Sequence, residues 1–329
     1  MPERIERLKH WLEIELNFSE YNLNPASADA SFRRYFRVTG NGESVIVMDA
    51  PPEKEDSRPF ITIAKLLLDA GLNVPEVIDA DLEQGYLLLS DLGNQPYLHA
   101  LDESSVERLY GDALGALVAI QACHPETGDL PPYDRKLLLA EQELFREWLL
   151  GRHLGTTLTA AQSAMCDDVF ARLADNALEQ PQVCVHRDYH SRNLMVTARN
   201  NPGILDFQDA VIGAVTYDLV SLLRDCYIAW PRERVEGWAL GYQELALQSG
   251  ILREEHKDPT QFLRWFDLMG MQRHLKAAGI FARLNHRDGK PGYLADIPRT
   301  LGYVTEVAGR YGELAAFGEF VQQAVLDRL

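Results

Sequence analysis

The segment HRDYHSRN (186–193) follows directly on the apolar run VCVH (183–186). A second apolar run, GILDF (203–207), comes shortly afterwards and ends in an Asp-Phe pair. Short runs of β-branched and apolar residues are typical of buried strands. We therefore predict a small hairpin with the polar segment in its loop. We expect this hairpin to bring Asn193 close to Asp206.

Three oxygen-bearing side chains stand out in this stretch. Asn193 follows Asp188 by 5 residues, and Asp206 follows it by 18. Phosphoryl transfer needs a carboxylate that orients the acceptor hydroxyl and takes its proton, and oxygen ligands that hold Mg²⁺ against the nucleotide phosphates. Each residue alone would fit ordinary turn chemistry. The whole pattern, H-x-D-x-x-x-x-N followed by a strand and Asp-Phe, favours a kinase-type site with Asp188 as base and Asn193 and Asp206 as metal ligands.

The amino-acid composition disfavours some classes of binding partner. The chain has 329 residues with 32 Lys and Arg against 49 Asp and Glu, a net charge of −17. This argues against nucleic acid or an anionic membrane as the main partner, although it leaves room for a local basic pocket that binds a phosphate. No apolar run is long enough to span a bilayer, and the start of the chain does not resemble a signal peptide. The four cysteines form no C-x-x-C pair, so we expect reduced thiols in a cytoplasmic protein.

Periodicity predicts an α+β chain with a boundary near residues 90–95. The first part is predicted to be a small sheet with one crossing helix. Its elements are a helix over 4–16, a hairpin of 32–38 and 44–50, a helix over 59–70, and strands over 75–81 and 86–92. The second part is predicted to be mostly helical, with helices over 101–122, 134–151, 158–178, 216–229, 231–249, 259–284 and 310–328.

These motifs make the chain resemble the aminoglycoside phosphotransferase/choline kinase family, small-molecule relatives of the eukaryotic protein kinases. HRDYHSRN matches the catalytic loop of that family, and LDFQDA (205–210) matches its metal-binding segment. VTYDLVSLLRDCY (215–227) resembles the following helix, with Asp218 supporting the loop. The resemblance implies a bilobal protein-kinase-like fold with a small antiparallel-sheet N-lobe (1–92) and a mostly helical C-lobe (93–329). It also implies ATP, bound between the lobes, and Mg²⁺ as cofactors.

Three further stretches are similar to one subgroup of the family, the bacterial N-acetylmuramate/N-acetylglucosamine anomeric kinases of peptidoglycan recycling. They are ADASFRRYFRV (28–38), VIVMDAPPEKED (45–56) and GAVTYDLVSLLRDCY (213–227). This similarity implies an ATP-dependent phosphotransferase whose acceptor is the anomeric hydroxyl of an N-acetylated amino sugar. A kinase of another small alcohol or of an aminoglycoside remains an alternative. A protein kinase is disfavoured because no A-P-E motif follows and no room is left for an activation loop.

The chain departs from the family pattern where the third strand should end in a lysine. SVIVMDA (44–50) has Met48 or Asp49 there, and the helix PFITIAKLLL (59–68) lacks the acidic partner. One interpretation is a nucleotide-binding pseudokinase. The other is that a different cation serves the phosphates, and the nearest candidates are Arg33, Arg34 and Arg37. The phosphate loop itself would be SADASF (27–32), which contains Ser31 but no glycine.

The remaining candidate residues are assigned by their place along the chain. Ser90 and Leu92, where the lobes join, are candidates for binding adenine through their backbone. His190 either contacts the phosphates or the acceptor, or supports the loop. Candidates for the acceptor site are Arg192, Arg224, Asp225, Arg273 and His274. The last two belong to MQRHLKAAGIFARL (271–284), whose polar cluster Gln272, Arg273, His274 and Lys276 fits a solvated helix face better than a pocket.

A metal-hydrolase site is the competing interpretation of the loop itself. His186, Asp188 and His190 alternate as such ligands can. Hydrolytic metal sites usually take further ligands from other motifs, and here the other histidines are scattered singly. That interpretation also leaves Asn193 without a role, so the kinase-type site is preferred.

Overall fold

The chain folds into two compact units in a computed structural model. The sheet unit comprises Met1–Gln95 and Met195–Gln208, and the helical unit comprises Pro96–Leu194 and Asp209–Leu329. The residues that the structure describes are 2–28, 32–40, 42–123 and 130–329.

The sheet unit is built on an antiparallel sheet of five strands in the order β1-β2-β3-β5-β4. The strands are β1 (Asn22–Ala28), β2 (Arg34–Gly40), β3 (Glu43–Asp49), β4 (Val77–Asp81) and β5 (Tyr86–Ser90). Helix α1 (Pro2–His10) continues as a π-helical turn over Trp11–Glu15, and α2 (Arg58–Asp69) lies between β3 and β4 in sequence. The predicted hairpin, both predicted helices and the two later strands are therefore confirmed.

Apolar residues of α1 and of the turn that follows it cover one face of this sheet. Leu8, Trp11 and Leu12 form a buried cluster with strand residues that include Val47 and Tyr86. The β2–β3 hairpin closes through Gly42, whose φ of 83° is a conformation that glycine adopts without a steric penalty. Strand β1 was not predicted, because NLNPASA contains a proline and lacks the alternation of a half-buried strand.

The helical unit contains most of the remaining chain. Its helices are α3 (Tyr97–Ala100), α4 (Val106–Gln121), α5 (Arg135–Leu144), α6 (Ala160–Glu179), α7 (Tyr217–Leu223), α8 (Arg232–Gln248), α9 (Pro259–Asp288), α10 (Ile297–Ala308) and α11 (Ala315–Ala324). Helix α5 continues as a π-helix over Phe145–His153. The 30-residue helix α9 is buried along most of its length and packs with α5, α6, α7, α8 and α10. The predicted helices are present in this unit, but the one predicted over 216–229 ends at Leu223. Helices α3 and α10 were not predicted.

The predicted pairing of VCVH with GILDF is wrong. Strand β6 (Gln182–Val185) pairs antiparallel with β9 (Val211–Ala214), while β7 (Leu194–Met195) pairs with β8 (Gly203–Ile204). An apolar run specifies a strand but not its partner, and β9 supplies a second buried run directly after the Asp-Phe segment. The loop 186–193 therefore connects β6 with β7 and is not the loop of a single hairpin.

The structure can be compared with the predictions made for the cysteines and for membrane-spanning segments. Cys123, Cys166, Cys184 and Cys226 are all free thiols. Within the described residues, no helix is both long and apolar enough to cross a membrane.

Candidate active site

The loop 186–193 is closed by hydrogen bonds around Asp188. The carbonyl oxygen of Asp188 accepts from the backbone N of His190 and from Nδ2 of Asn193, each at 3.0 Å. The backbone N of Asn193 in turn donates to the carbonyl of His190 at 2.9 Å. The bond from Nδ2 fixes the orientation of the amide, so Oδ1 is the atom of Asn193 with the chemistry of a metal ligand.

Asp218 on α7 holds the start of this loop. Its carboxylate accepts from the backbone N of His186 at 2.6 Å and from that of Arg187 at 2.9 Å. Arg187 has a φ of 76°, which a residue with a side chain rarely adopts, so the two bonds stabilise a strained backbone. Burial raises the pKa of Asp218 to about 7, against the lowering effect of the two backbone donors. The predicted support of the loop by Asp218 is present.

Asp225 holds the other end of the loop. Its Oδ2 accepts from the backbone N of Ser191 at 3.0 Å, and its Oδ1 accepts from that of Tyr227 at 2.9 Å. Asp225 is buried, and both oxygens bind backbone amides. Asp225 therefore positions the end of the catalytic loop. Its contact with the acceptor stays a prediction.

The partly buried carboxylate of Asp188 lies in a basic environment. Burial alone would raise the pKa of Asp188, but the charges of Lys276, His190 and Arg273 outweigh it, so the pKa lies below its usual range. Asp188 is therefore ionised at neutral pH and can accept a hydrogen bond from a hydroxyl group.

Lys276 is fixed by a buried acid that the sequence analysis did not single out. Its Nζ lies 3.1 Å from Oε2 of Glu141 and donates to the hydroxyl of Tyr217 at 3.1 Å. Glu141 also accepts from Arg187 and from the hydroxyl of Tyr133. A sequence signal exists, because Glu141 stands at helical spacing among the core-facing residues of α5.

The interpretation of the α9 cluster as a solvated face is wrong. Gln272, Arg273, His274 and Lys276 are all buried. Their partners are distant in sequence, as the bond from Gln272 to the carbonyl of Leu138 at 3.1 Å illustrates. Arg273 itself donates to Sγ of Cys226 at 3.6 Å and interacts electrostatically with Asp188 and Asp225.

Two of the acceptor-site candidates are engaged in packing. Arg224 forms a bidentate ion pair with Glu306 at 2.8 and 2.9 Å. Nε2 of His274 lies 2.8 Å from the carbonyl oxygen of Arg224, which accepts from it, and the ring stacks on Tyr303 with centroids 4.8 Å apart. Arg192, by contrast, is exposed. Contacts of Arg224 and His274 with a substrate stay predictions.

The arginines proposed for the nucleotide phosphates are all paired in the sheet unit. Arg33 lies 3.0 Å from Glu55, and Arg37 forms bonds of 2.6 and 2.9 Å with Asp91. Arg34 bonds to Asp49, which is fully buried and also binds Nε of Arg4 at 2.6 Å. Met48 and Asp49, the two residues at the end of β3 where the family pattern places a lysine, are both fully buried, and Asp49 carries the two arginines.

The other nucleotide candidates fall on the sheet and its loops. Oγ of Ser90 accepts from the backbone N of Glu76 at 2.9 Å, and Leu92 is partly buried. Ser31 lies outside the described residues. The phosphate loop predicted over 27–32 is therefore described only in part.

Asp206 belongs to the sheet unit. Its φ of 64° places it in a left-handed turn, and its Oδ1 accepts from Nε2 of Gln208 at 2.7 Å. The neighbouring Phe207 packs on Phe60 with ring centroids 4.8 Å apart. A carboxylate here and the amide oxygen of Asn193 are both hard oxygen donors that suit Mg²⁺.

The described residues contain no group of three or more His, Cys, Asp and Glu side chains placed to hold a metal ion. The bond from Asn193 to the carbonyl of Asp188 gives Asn193 a role in the loop, whereas a hydrolytic centre on His186, Asp188 and His190 leaves it without one. Asn193 of the helical unit and Asp206 of the sheet unit each offer an oxygen donor of the kind that Mg²⁺ prefers.

Comparison with known proteins identifies the family. The model of the phosphotransferase enzyme family matches residues 22–259. The chain belongs to the phosphotransferase enzyme family. The predicted resemblance is thereby confirmed.

Curated relatives of this phosphotransferase extend over nearly its whole length. It is 49% identical to the N-acetylmuramate/N-acetylglucosamine kinase of Pseudomonas putida, with 98% of each chain covered. It is 47% identical to the enzyme of that name from Pseudomonas aeruginosa, with 97% of this chain and 96% of the relative covered. The enzyme of that name from Neisseria meningitidis is 44% identical, with 99% and 97% covered.

Solved structures confirm the protein-kinase-like fold of this phosphotransferase. An aminoglycoside 2'-phosphotransferase in complex with GDP has a TM-score of 0.64 at 14% identity, with 94% of this chain and 99% of that chain covered. The choline kinase of Streptococcus pneumoniae has a TM-score of 0.61 at 14% identity, with 93% and 99% covered. At these identities the likeness concerns the fold alone.

Proposed function

We propose that this phosphotransferase is an ATP-dependent sugar kinase that phosphorylates the anomeric hydroxyl of N-acetylmuramate and N-acetylglucosamine. The names of relatives that are 44–49% identical over nearly the full chain support this substrate class. The observation that carries the reaction type is the bond from Asn193 to the carbonyl of Asp188 in a loop that Asp218 anchors. ATP as donor agrees with the cytoplasmic location that the sequence predicts.

Asp188 is proposed as the catalytic base. Its carboxylate accepts a hydrogen bond from the anomeric hydroxyl and takes the proton as the new O–P bond forms and ADP leaves. An anomeric hydroxyl is more acidic than an ordinary alcohol, so a carboxylate suffices as base. Most of the rate enhancement then comes from positioning and from the neutralisation of charge.

Asn193 and Asp206 are proposed as the ligands of Mg²⁺. When bound, the ion neutralises the negative charge of the nucleotide phosphates. Arg33, Arg34 and Arg37 remain the proposed cations for the phosphates, and each would have to bind them alongside its present carboxylate partner. Ser90, Leu92 and His190 complete the proposed nucleotide site.

The Asp188→Asn variant tests this function. Loss of the base is expected to lower kcat by about 10²- to 10⁴-fold, since an amide cannot take the proton. ADP release is measured with ATP, Mg²⁺ and either sugar, and the product is identified by ³¹P NMR. Removal of the metal with EDTA should likewise stop turnover of the unaltered enzyme.

Asp168→Asn provides the matched control, because Asp168 is an exposed acid of α6 that pairs with Arg172 on the surface. Its activity should equal that of the unaltered enzyme. Undiminished turnover by Asp188→Asn would refute the assignment of the base.

One observation supports a second candidate function, that of a nucleotide-binding pseudokinase. Strand β3 ends in Met48 and Asp49 and contains no lysine, as a nucleotide-binding pseudokinase would allow. Binding of ATP without phosphorylation of either sugar, of an aminoglycoside or of another small alcohol would favour this alternative. Turnover of an aminoglycoside or of another alcohol alone would instead assign the enzyme to a different acceptor.

A further inference from the structure

The two proposed acceptors differ in one group. N-acetylmuramate carries a lactyl ether that ends in a carboxylate, where N-acetylglucosamine has a hydroxyl. In a site that binds both sugars, a cation could form an ion pair with this carboxylate. The cation would not be needed to bind the part that the two sugars share. The inference below rests on the proposed function.

Most arginines around the catalytic loop already have an acidic partner. Arg187 pairs with Glu141, Arg224 with Glu306, and Arg299 with Asp296. Arg192 is the exposed exception, because no carboxylate of the described residues forms an ion pair with it. Asp296 is within electrostatic reach of Arg192 but is paired with Arg299 at 3.3 Å.

Aromatic rings hold the guanidinium of Arg192 in place. Its Cζ lies 4.5 Å from the ring centroid of Tyr227 and 5.5 Å from that of Tyr293. Both rings are supported, since Tyr227 meets His190 edge-on at 5.4 Å and Tyr293 stacks on Phe281 at 5.7 Å. Tyr227 also forms a side-chain hydrogen bond with Arg192. A guanidinium has five N–H donors and stacking engages only its faces, so further donors remain for a carboxylate.

The position of Arg192 in the loop ties it to the acceptor. It precedes Asn193 and follows Asp188 by 4 residues, and the bond between His190 and Asn193 folds these residues into one turn. We propose that Arg192 binds the lactyl carboxylate of N-acetylmuramate and so determines the preference of the enzyme between its two sugars. Arg192 is thus a specificity-determining residue and takes no part in the transfer of the phosphoryl group.

The Arg192→Gln variant tests the proposal with both sugars. We expect kcat/KM for N-acetylmuramate to fall about 10- to 100-fold further than that for N-acetylglucosamine, because a charge-assisted contact is lost only for the acidic sugar. Most of the loss should appear in KM. For Arg192→Lys, kcat/KM for N-acetylmuramate should lie between the values of the unaltered enzyme and of Arg192→Gln. Lysine keeps the charge but not the bidentate, stacked geometry.

Arg172→Gln is the matched control, because Arg172 is an exposed arginine paired with Asp168 on α6. It should leave the ratio of the two kcat/KM values unchanged. An equal fall for both sugars in Arg192→Gln would overturn the proposal and make Arg192 a support of the loop. Unchanged kcat/KM values for both sugars in Arg192→Gln would also overturn the proposal.

A measurement on the unaltered enzyme serves as an independent test. Raising NaCl from about 50 to about 500 mM should raise KM for N-acetylmuramate more than KM for N-acetylglucosamine, because salt screens an exposed ion pair. Equal salt dependence would overturn the proposal even if Arg192→Gln does not fold. If the unaltered enzyme phosphorylates neither sugar, the proposed function fails as well, whereas the outcomes above leave it standing.

Discussion

His274 is a buried histidine whose surroundings favour the neutral ring. Burial lowers its pKa to about 3, and the nearby charge of Arg273 adds to this effect. In an unfolded chain the same group titrates near ~6.5. The folded state therefore holds His274 neutral over a pH range in which the unfolded chain binds a proton.

This difference predicts how stability depends on pH. The contribution of His274 to the free energy of unfolding is fully present above about pH 6.5. It is lost as the pH falls towards 3, at about 1.4 kcal/mol per pH unit. Between pH 7 and 5.5 the free energy of unfolding should thus drop by about 1 kcal/mol more in the unaltered protein than in His274→Gln. Urea denaturation at the two pH values measures this difference.

An exposed histidine serves as the control. His99→Gln should reproduce the pH dependence of the unaltered protein, because His99 lies at the surface. Equal losses in His274→Gln and the unaltered protein would show that the ring is not held neutral by the fold.

At the scale of elements, α9 and the end of α5 come together through Gly279. A Cβ added at Gly279 would overlap the carbonyl group of Leu144 and the amide nitrogen of Phe145. These are backbone atoms, so the two helices would have to separate.

We predict that Gly279→Ala lowers the free energy of unfolding by about 1–3 kcal/mol, although alanine is the better helix former. Gly302→Ala in α10 is the matched control, since nothing lies within 4 Å of a Cβ added there. It should raise the stability by up to about 1 kcal/mol. Chemical denaturation measures both, and a stabilised Gly279→Ala variant would contradict the packing described for α9.

Elements with a strong periodic pattern could be predicted from the sequence, whereas their partners could not. The helices and the β2–β3 hairpin follow from local spacing and turn residues. The pairing of β6 with β9 depends on which of two buried runs lies beside β6 in the folded chain, and local sequence patterns do not specify this. Helix α10 was missed because IPRTLGYVTEVA includes a proline, a glycine and β-branched residues.

The candidate site shows the same division. The order of Asp188, Asn193 and Asp206 along the chain predicted the reaction type, because that chemistry requires those side chains at that spacing. The burial of the polar cluster on α9 could not be predicted, since a helical pattern does not show that Glu141 and Tyr217 satisfy Lys276 from elsewhere in the chain.

At the scale of the whole molecule, the net charge of −17 governs long-range encounters. Binding to nucleic acid draws on basic side chains that neutralise phosphates. We therefore predict no measurable binding to duplex DNA at physiological salt, with a Kd weaker than about 10⁻⁴ M. Fluorescence anisotropy of a labelled duplex measures this, and micromolar binding would contradict the prediction.

The buried carboxylate at the end of β3 has a practical consequence for inhibitors. Kinases carry a lysine on the third strand, and an ATP analogue with an amine-directed electrophile could attach to it. Here that strand reads ESVIVMD, and its last residue, Asp49, is bound to Arg4 and Arg34. Strand β3 offers no amine to such a reagent, so a reagent of this kind should not label β3 of this enzyme, whereas it would label kinases that keep the lysine.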